Sequence, residues 1–242
     1  MAIFDCFKKV ETVSTHSIPS LRTIEIGNTI VKYKDESELF SKGLIKPKPI
    51  TTEEARLLVL KTKELFDKVN LKFSLSFGTL LGAVREKGLI SGDEDVDIFI
   101  WDEQTLVNNL TMFQQYGLNV VRVEFGKLYT FRLNDSSYYI DVYILRELRH
   151  SIWSFYCCSL NHNVTPKKYF YDYETIDFLG INCLCPKCPE KILSFWYGKN
   201  WKTPAKDHFF YYEVRTAFYW HHPVQIIKDV LRFILRRKHL RK

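Results

Sequence analysis

Two short stretches alternate hydrophobic and polar residues with a period of two, and they organise the reading of this chain. In DVDIFIW, residues 95–101, Val96, Ile98 and Ile100 fall on one side of an extended strand, and Asp95 and Asp97 fall on the other. In YYIDVYIL, residues 138–145, Ile140, Val142 and Ile144 share one face, and Tyr139, Asp141 and Tyr143 share the opposite one. Upstream the period lengthens. Thr51 followed three residues later by Glu54 is a capping box, and Leu57, Leu58, Leu60, Leu65, Phe66 and Val69 form a helical stripe to about residue 70. The pattern then predicts a strand at 71–76, a short helix at 80–84, a loop at 85–92 and a helix over 104–116. Further strands are expected at 119–124, 128–133, 152–159 and near 175–184. Pro189 opens a helix that stops at Tyr197-Gly198.

Helix, strand, strand and then a run of strands predict an α+β domain with a mixed β-sheet and flanking helices. Three segments are expected. Residues 1–50 form an N-terminal appendage whose 23–33 alternation around Gly27-Asn28 reads as a hairpin, followed by the linker KPKPITT. Residues 51–205 form the catalytic domain, and residues 206–242 form a basic tail with a helix over 223–242.

Clustered aspartates need an explanation, because like charges repel and aspartate is a poor strand former. Asp93, Asp95 and Asp97 share one side of their strand, and a hard divalent cation would offset their repulsion. A solvated strand end is the bland alternative for a bare D-x-D. Two features favour the cation. Gly78-Thr79 stands between a strand and a helix start, where backbone N–H groups can approach a phosphate. Asp141 lies in a strand so apolar that a buried carboxylate there requires a partner.

Composition narrows the picture only a little. The 242 residues carry a formal net charge of +7, which favours an anionic partner without choosing one. No run of about 18 apolar residues reads as a membrane span, and MAIFDCFKKVETVSTHS lacks a signal-peptide core, so the expected setting is a reducing cytoplasm with free thiols. Cys183, Cys185 and Cys188, with Cys157 and Cys158, offer a zinc alternative, but small core residues account for the first two more simply. His221-His222 read as solvated or capping residues. Tyr129, Phe131, Tyr139 and Tyr143 are either core rings or a platform for a base.

The run GTLLGAVREKGLISGDEDVDIFI, residues 78–100, resembles the LicD/fukutin family motif, in which G-T-L-L-G-x-x-R leads to a D-D-D-I-D cluster. YGKNWKTP, residues 197–204, is similar to that family's closing Y-G-x-x-W-x-x-P element. The order of strand, Gly-Thr, helix, D-x-D strand and a later aspartate is that of the nucleotidyltransferase superfamily. Two positions depart from the family pattern: Ser91-Gly92 replaces Pro-Trp, and Glu94 replaces an aspartate.

The resemblance implies a nucleotidyltransferase-like fold and Mg²⁺ or Mn²⁺ held by Asp95, Asp97 and Asp141. It implies a CDP-alcohol donor such as CDP-choline, a glycan or lipid-linked glycan acceptor, and release of CMP. Asp141 is then also the candidate general base, Gly78 and Thr79 hold a phosphate, and Arg85 with Lys87 offsets charge on the leaving nucleotide. Nucleotidyl transfer to a sugar phosphate, protein or RNA is the alternative reaction. A non-catalytic anion-binding module is the alternative outside enzymes. Clustered acids speak against nucleic acid as the partner. The basic amphipathic segment with Ile227, Val230, Leu231 and Ile234 on one stripe is expected either to touch an anionic membrane surface or to pack on the domain.

Overall fold

The computed structural model describes residues 7–12, 20–26, 29–41, 48–134, 136–147, 157–160 and 163–204. The predicted C-terminal basic helix lies outside them. Strands β1 (Phe7–Thr12), β2 (Ser20–Ile26) and β3 (Thr29–Asp35) form an antiparallel three-stranded sheet, followed by the short helix α1 (Ser37–Ser41). Then come α2 (Thr52–Lys68), β4 (Phe73–Leu75), α3 (Phe77–Arg85), β5 (Asp95–Ile100), α4 (Glu103–Asn108), α5 (Leu110–Gln115), β6 (Leu118–Glu124), β7 (Leu128–Leu133) and β8 (Tyr139–Glu147). The remainder is β9 (Cys157–Leu160), β10 (Asn163–Pro166), a 3₁₀ turn, β11 (Tyr173–Phe178), β12 (Ile181–Pro186) and α6 (Pro189–Tyr197).

Strands β4 to β12 form one nine-stranded mixed sheet with the path β10-β9-β8-β5-β4-β12-β11, and β7 and β6 extend from the first half of β8. β5 and β8 run parallel, as do β4 and β12, while β4 and β5 are antiparallel. This is the mixed sheet with flanking helices that the periodicities predict.

One face of the sheet is core. Val96, Ile98, Ile100, Ile140 and Val142 are fully buried there, together with Phe131 and Tyr129. Helix α2 covers this face with Ala55, Leu58, Val59, Leu65 and Phe66, and the Phe66 ring meets Phe73 and Phe113 at 6.1 and 5.3 Å. Each of the Leu, Val and Phe side chains contributes about 1.5–3 kcal/mol on burial. Leu57 is the member of the predicted stripe that points to solvent. The helix starts where expected, with the Thr51 side chain accepting from Glu54 N–H and Glu54 reaching back to the Thr51 backbone.

The expected helix over 104–116 is two helices. Asn109 breaks it, its Nδ2 donating to the Thr105 carbonyl at 2.8 Å, a side-chain bond that competes with the backbone ladder. The strand expected near 175–184 is the hairpin β11–β12, turning at Leu179-Gly180 with both φ angles positive. Among the described residues, no helix is long and apolar enough to cross a membrane.

Candidate active site

The opposite face of the sheet carries the acids. In the parallel β5–β8 pair, Asp95 stands beside Tyr139 and Asp97 beside Asp141. The buried Val96–Ile98–Ile100 and Ile140–Val142–Ile144 rows lock this register, because a slip of one residue would turn both apolar sets outward. Oxygen atoms of Asp95, Asp97 and Asp141 consequently lie within 4.8 Å of one another.

Helix α3 is pinned against these carboxylates at its N-terminal end. Ser76 N–H donates to the Asp97 carbonyl at 3.0 Å, and Asp97 N–H donates to Thr79 Oγ1 at 2.8 Å. A Cβ on Gly78 would stand 3.4 Å from an Asp93 oxygen and 3.6 Å from Asp97 Oδ2, so the helix start faces both acids. Phe77 holds a positive φ of 39°, a strained conformation for a bulky residue. Its ring packs on Tyr143 at 4.9 Å and Trp196 at 5.0 Å, which fixes that entry. Further along, Gly82 allows the backbone to fold back: a Cβ there would meet the Gly88 carbonyl oxygen at 2.5 Å.

Burial and mutual repulsion raise the acids together. Asp95 is pushed up to about 7, first by burial and then by Asp141, Asp93 and Glu94. Asp97 is raised well above the carboxylate range by burial and by Asp95 and Asp141. Asp141 is also raised by burial, against the lowering effect of the Thr130 hydroxyl and of Arg122. Asp93 rises to about 6 through burial and Glu94. Three converging hard oxygen donors whose charges resist crowding are the donor set a divalent cation takes. Ser76 Oγ, buried at the N-cap of α3, has no protein hydrogen-bond partner, leaving a free polar atom beside the acids. The residues therefore fit a hard cation with an oxyanion beside it.

The structure gathers Asp95, Asp97, Asp141, Gly78 and Thr79. The Thr79 hydroxyl is almost fully buried and is occupied as the acceptor for Asp97 N–H. Arg85 stands at the far end of α3, about 10 Å along the axis from Gly78 at 1.5 Å per residue. It is tied there, with Nε on Glu86 Oε1 at 2.6 Å and Nη1 on the Trp201 carbonyl at 3.1 Å. This joins the YGKNWKTP element to α3 rather than to the acids. Lys87 is exposed in the turn that follows. Of the four rings named from the sequence, Tyr129 and Phe131 are core, and Tyr139 and Tyr143 share the acid face. Cys183 and Cys185 are buried core thiols raised to about 12 by burial, and the described cysteines form no metal-holding group of three.

Four residues beyond the expected ligands and phosphate holders adjoin the site. Asp93 lies against Gly78. Thr130 donates to Asp141 Oδ1 at 2.6 Å, and Tyr143 OH donates to Asp141 Oδ2 at 3.4 Å. Glu36, buried at the end of the N-terminal sheet, accepts from Tyr139 OH at 2.9 Å and pairs with Arg132 at 2.8 Å. Asp93 and Tyr143 carry a sequence signal, their period-two spacing with Asp95 and Asp141. Thr130 and Glu36 depend on contacts between separate segments.

A helix start carrying Gly78 thus faces a register-paired cluster of carboxylates that could hold a metal ion, and comparison with known families adds to this picture. Residues 70–188 match the nucleotidyltransferase domain of LicD/FKTN/FKRP, and through that segment the chain belongs to the LicD/fukutin family. An uncharacterized protein of Rickettsia prowazekii is 33% identical over 119 residues, 48% of this chain and 42% of its own length. Human ribitol-5-phosphate transferase FKTN is 26% identical over 203 residues, 78% of this chain and 41% of its own. Lipopolysaccharide cholinephosphotransferase LicD of Haemophilus influenzae is 35% identical over 57 residues, 22% of each. The chain thus spans less than half the length of each of these relatives.

Proposed function

We propose that this chain is a divalent-cation-dependent transferase that moves a phospho-alcohol from a CDP-linked donor to a hydroxyl of a glycan or glycolipid, releasing CMP. The observation that carries the reading is the register pairing of Asp97 with Asp141, with Asp95 beside them at the N-terminal end of α3. Family membership through residues 70–188 supports it, as do relatives named for transfer of ribitol 5-phosphate and of phosphocholine.

Asp95, Asp97 and Asp141 hold the cation. Mg²⁺ or Mn²⁺ bound there supplies neutralising charge to the donor's phosphate oxygens. The unpaired N–H groups of the first turn of α3, with Ser76 Oγ, bind a phosphate oxygen of the donor. Thr79 keeps Asp97 in place through its backbone. Asp141, the acid with the most hydrogen-bonding neighbours, accepts the proton of the attacking hydroxyl. Phe77 and Tyr143 wall this end of the site and exclude water. Arg85 keeps the closing element on α3, and Lys87 remains available to the nucleotide. The reading places the protein in the cytoplasm, with the basic segment beyond residue 205 against an anionic membrane that presents the acceptor.

The test is incubation with CDP-choline, CDP-ribitol and CDP-glycerol plus Mg²⁺ or Mn²⁺, following CMP with and without EDTA. EDTA-sensitive CMP release that Asp97→Ala abolishes supports the proposal and identifies the donor. Pyrophosphate release from a nucleoside triphosphate, with no CMP from any donor, replaces it with nucleotidyl transfer.

A further inference from the structure

We propose that Thr130 is a positioning residue for the acid centre, holding Asp141 in the orientation that lets it ligate a cation. Thr130 lies in the middle of β7 between Tyr129 and Phe131, outside the glycine-rich and acidic motifs, and is fully buried. The pairing of β7 with β8 sets it directly beside Asp141. Its hydroxyl donates to Asp141 Oδ1 at 2.6 Å, a short bond of the charge-assisted kind. The row continues on both sides, with Arg122 beside Thr130 and Asp97 beside Asp141.

Asp141 needs such a holder. Asp97 is anchored through its own backbone at Thr79 and Ser76, on α3 and the turn before it. Among the described residues, the hydrogen bonds to the Asp141 carboxylate come from the sheet: Thr130 on one oxygen at 2.6 Å and the longer Tyr143 contact on the other at 3.4 Å. With Oδ1 fixed, rotation about the carboxylate bond is restrained, and Oδ2 is the oxygen left to turn toward Asp95 and Asp97. A partner that orients a ligating carboxylate in this way is worth about 10–100-fold in metal affinity.

This inference rests on the reading that the three aspartates hold a divalent cation, and the test separates the two. Mn²⁺ binding to the full chain is titrated by electron paramagnetic resonance, with folding checked by circular dichroism. Thr130→Val keeps the branched shape that suits a strand and removes only the hydroxyl. Thr130→Ser restores the hydroxyl, and Thr130→Ala is a second hydroxyl-free variant should valine not yield folded protein. The expected result is a Mn²⁺ dissociation constant raised about 10–100-fold in Val or Ala, with Ser close to the parent. A packing role alone would shift thermal stability and leave Mn²⁺ affinity where it was. Parent-like affinity in folded Thr130→Val or Thr130→Ala, while Asp97→Ala loses binding, overturns the role of Thr130 and leaves the cation site standing. Absence of Mn²⁺ binding by the parent chain overturns both.

Discussion

Replacing Asp97 with asparagine should make the metal-free protein more stable while destroying its cation site. Asp97 lies within 4.8 Å of carboxylate oxygens of Asp95 and Asp141. Two unit charges at that separation repel by about 3.5 kcal/mol at an effective dielectric near 20. Proton uptake relieves part of this, so the gain left to be measured at pH 8 is about 2–4 kcal/mol. Asparagine keeps the shape and the backbone bonds to Thr79 and Ser76, and its amide can donate to the remaining acids. At about 2–4 °C per kcal/mol for a chain of this size, Tm should rise by roughly 4–16 °C. The assay is thermal unfolding followed by circular dichroism in EDTA at pH 8, repeated with Mn²⁺. Mn²⁺ should raise the parent's Tm, by about 2.7 kcal/mol worth of stability at one hundred times Kd, and leave the variant unmoved. An Asp97→Asn protein that melts at or below the parent in EDTA would refute the claim that the acids are held against their own repulsion.

Other expectations concern different parts of the site. Because Asp95 and Asp93 are raised to about 7 and 6, the folded chain keeps protons that the unfolded chain loses near pH 4. Metal-free stability should therefore fall as pH rises from about 4 to 7, and saturating Mg²⁺ should flatten that slope in urea titrations; a metal-free slope of the opposite sign would reject it. Gly82→Ala gains helix propensity of about 1 kcal/mol but drives a methyl into the Gly88 carbonyl, for a net loss of about 1–2 kcal/mol read by urea denaturation. Stability equal to or above the parent would show that the turn yields. Arg85→Ala should loosen the segment around Trp201, seen as faster hydrogen exchange there, with Mn²⁺ affinity within about threefold of the parent. A loss of Mn²⁺ binding would instead place Arg85 at the cation site.

The acid face was legible because the aspartates of DVDIFI and YYIDVYIL fall on the parity opposite the Val and Ile rows, although Phe99, on the aspartate parity, is buried as well. The lateral pairing of Asp97 with Asp141 was not legible, since a parallel contact between strands 44 positions apart leaves no mark in either strand. Local patterns failed where one side chain decides the path. Asn109 splits a helix that the apolar spacing predicts as continuous, and Leu179 adopts the positive φ more usual for glycine or asparagine at the β11–β12 turn. Arg85, named from the motif, ends the nine-residue α3, and its guanidinium bonds to Glu86 and to the Trp201 carbonyl, a contact more than a hundred positions away that no local pattern announces.

Glu36 has a practical consequence for anyone wishing to isolate the domain. The family match begins at residue 70, yet α2, whose Leu58, Leu65 and Phe66 close the core, ends before that point. Glu36, earlier still, holds Arg132 and Tyr139, and Tyr139 is the neighbour of Asp95. A fragment cut to the matched boundaries would leave the sheet's apolar face bare. One cut at residue 51 would cover that face but leave Arg132 and the Tyr139 hydroxyl without Glu36. What is recognisable by kinship is thus smaller than the set of residues that support the site, and a fragment that keeps Glu36 in place has to begin before it.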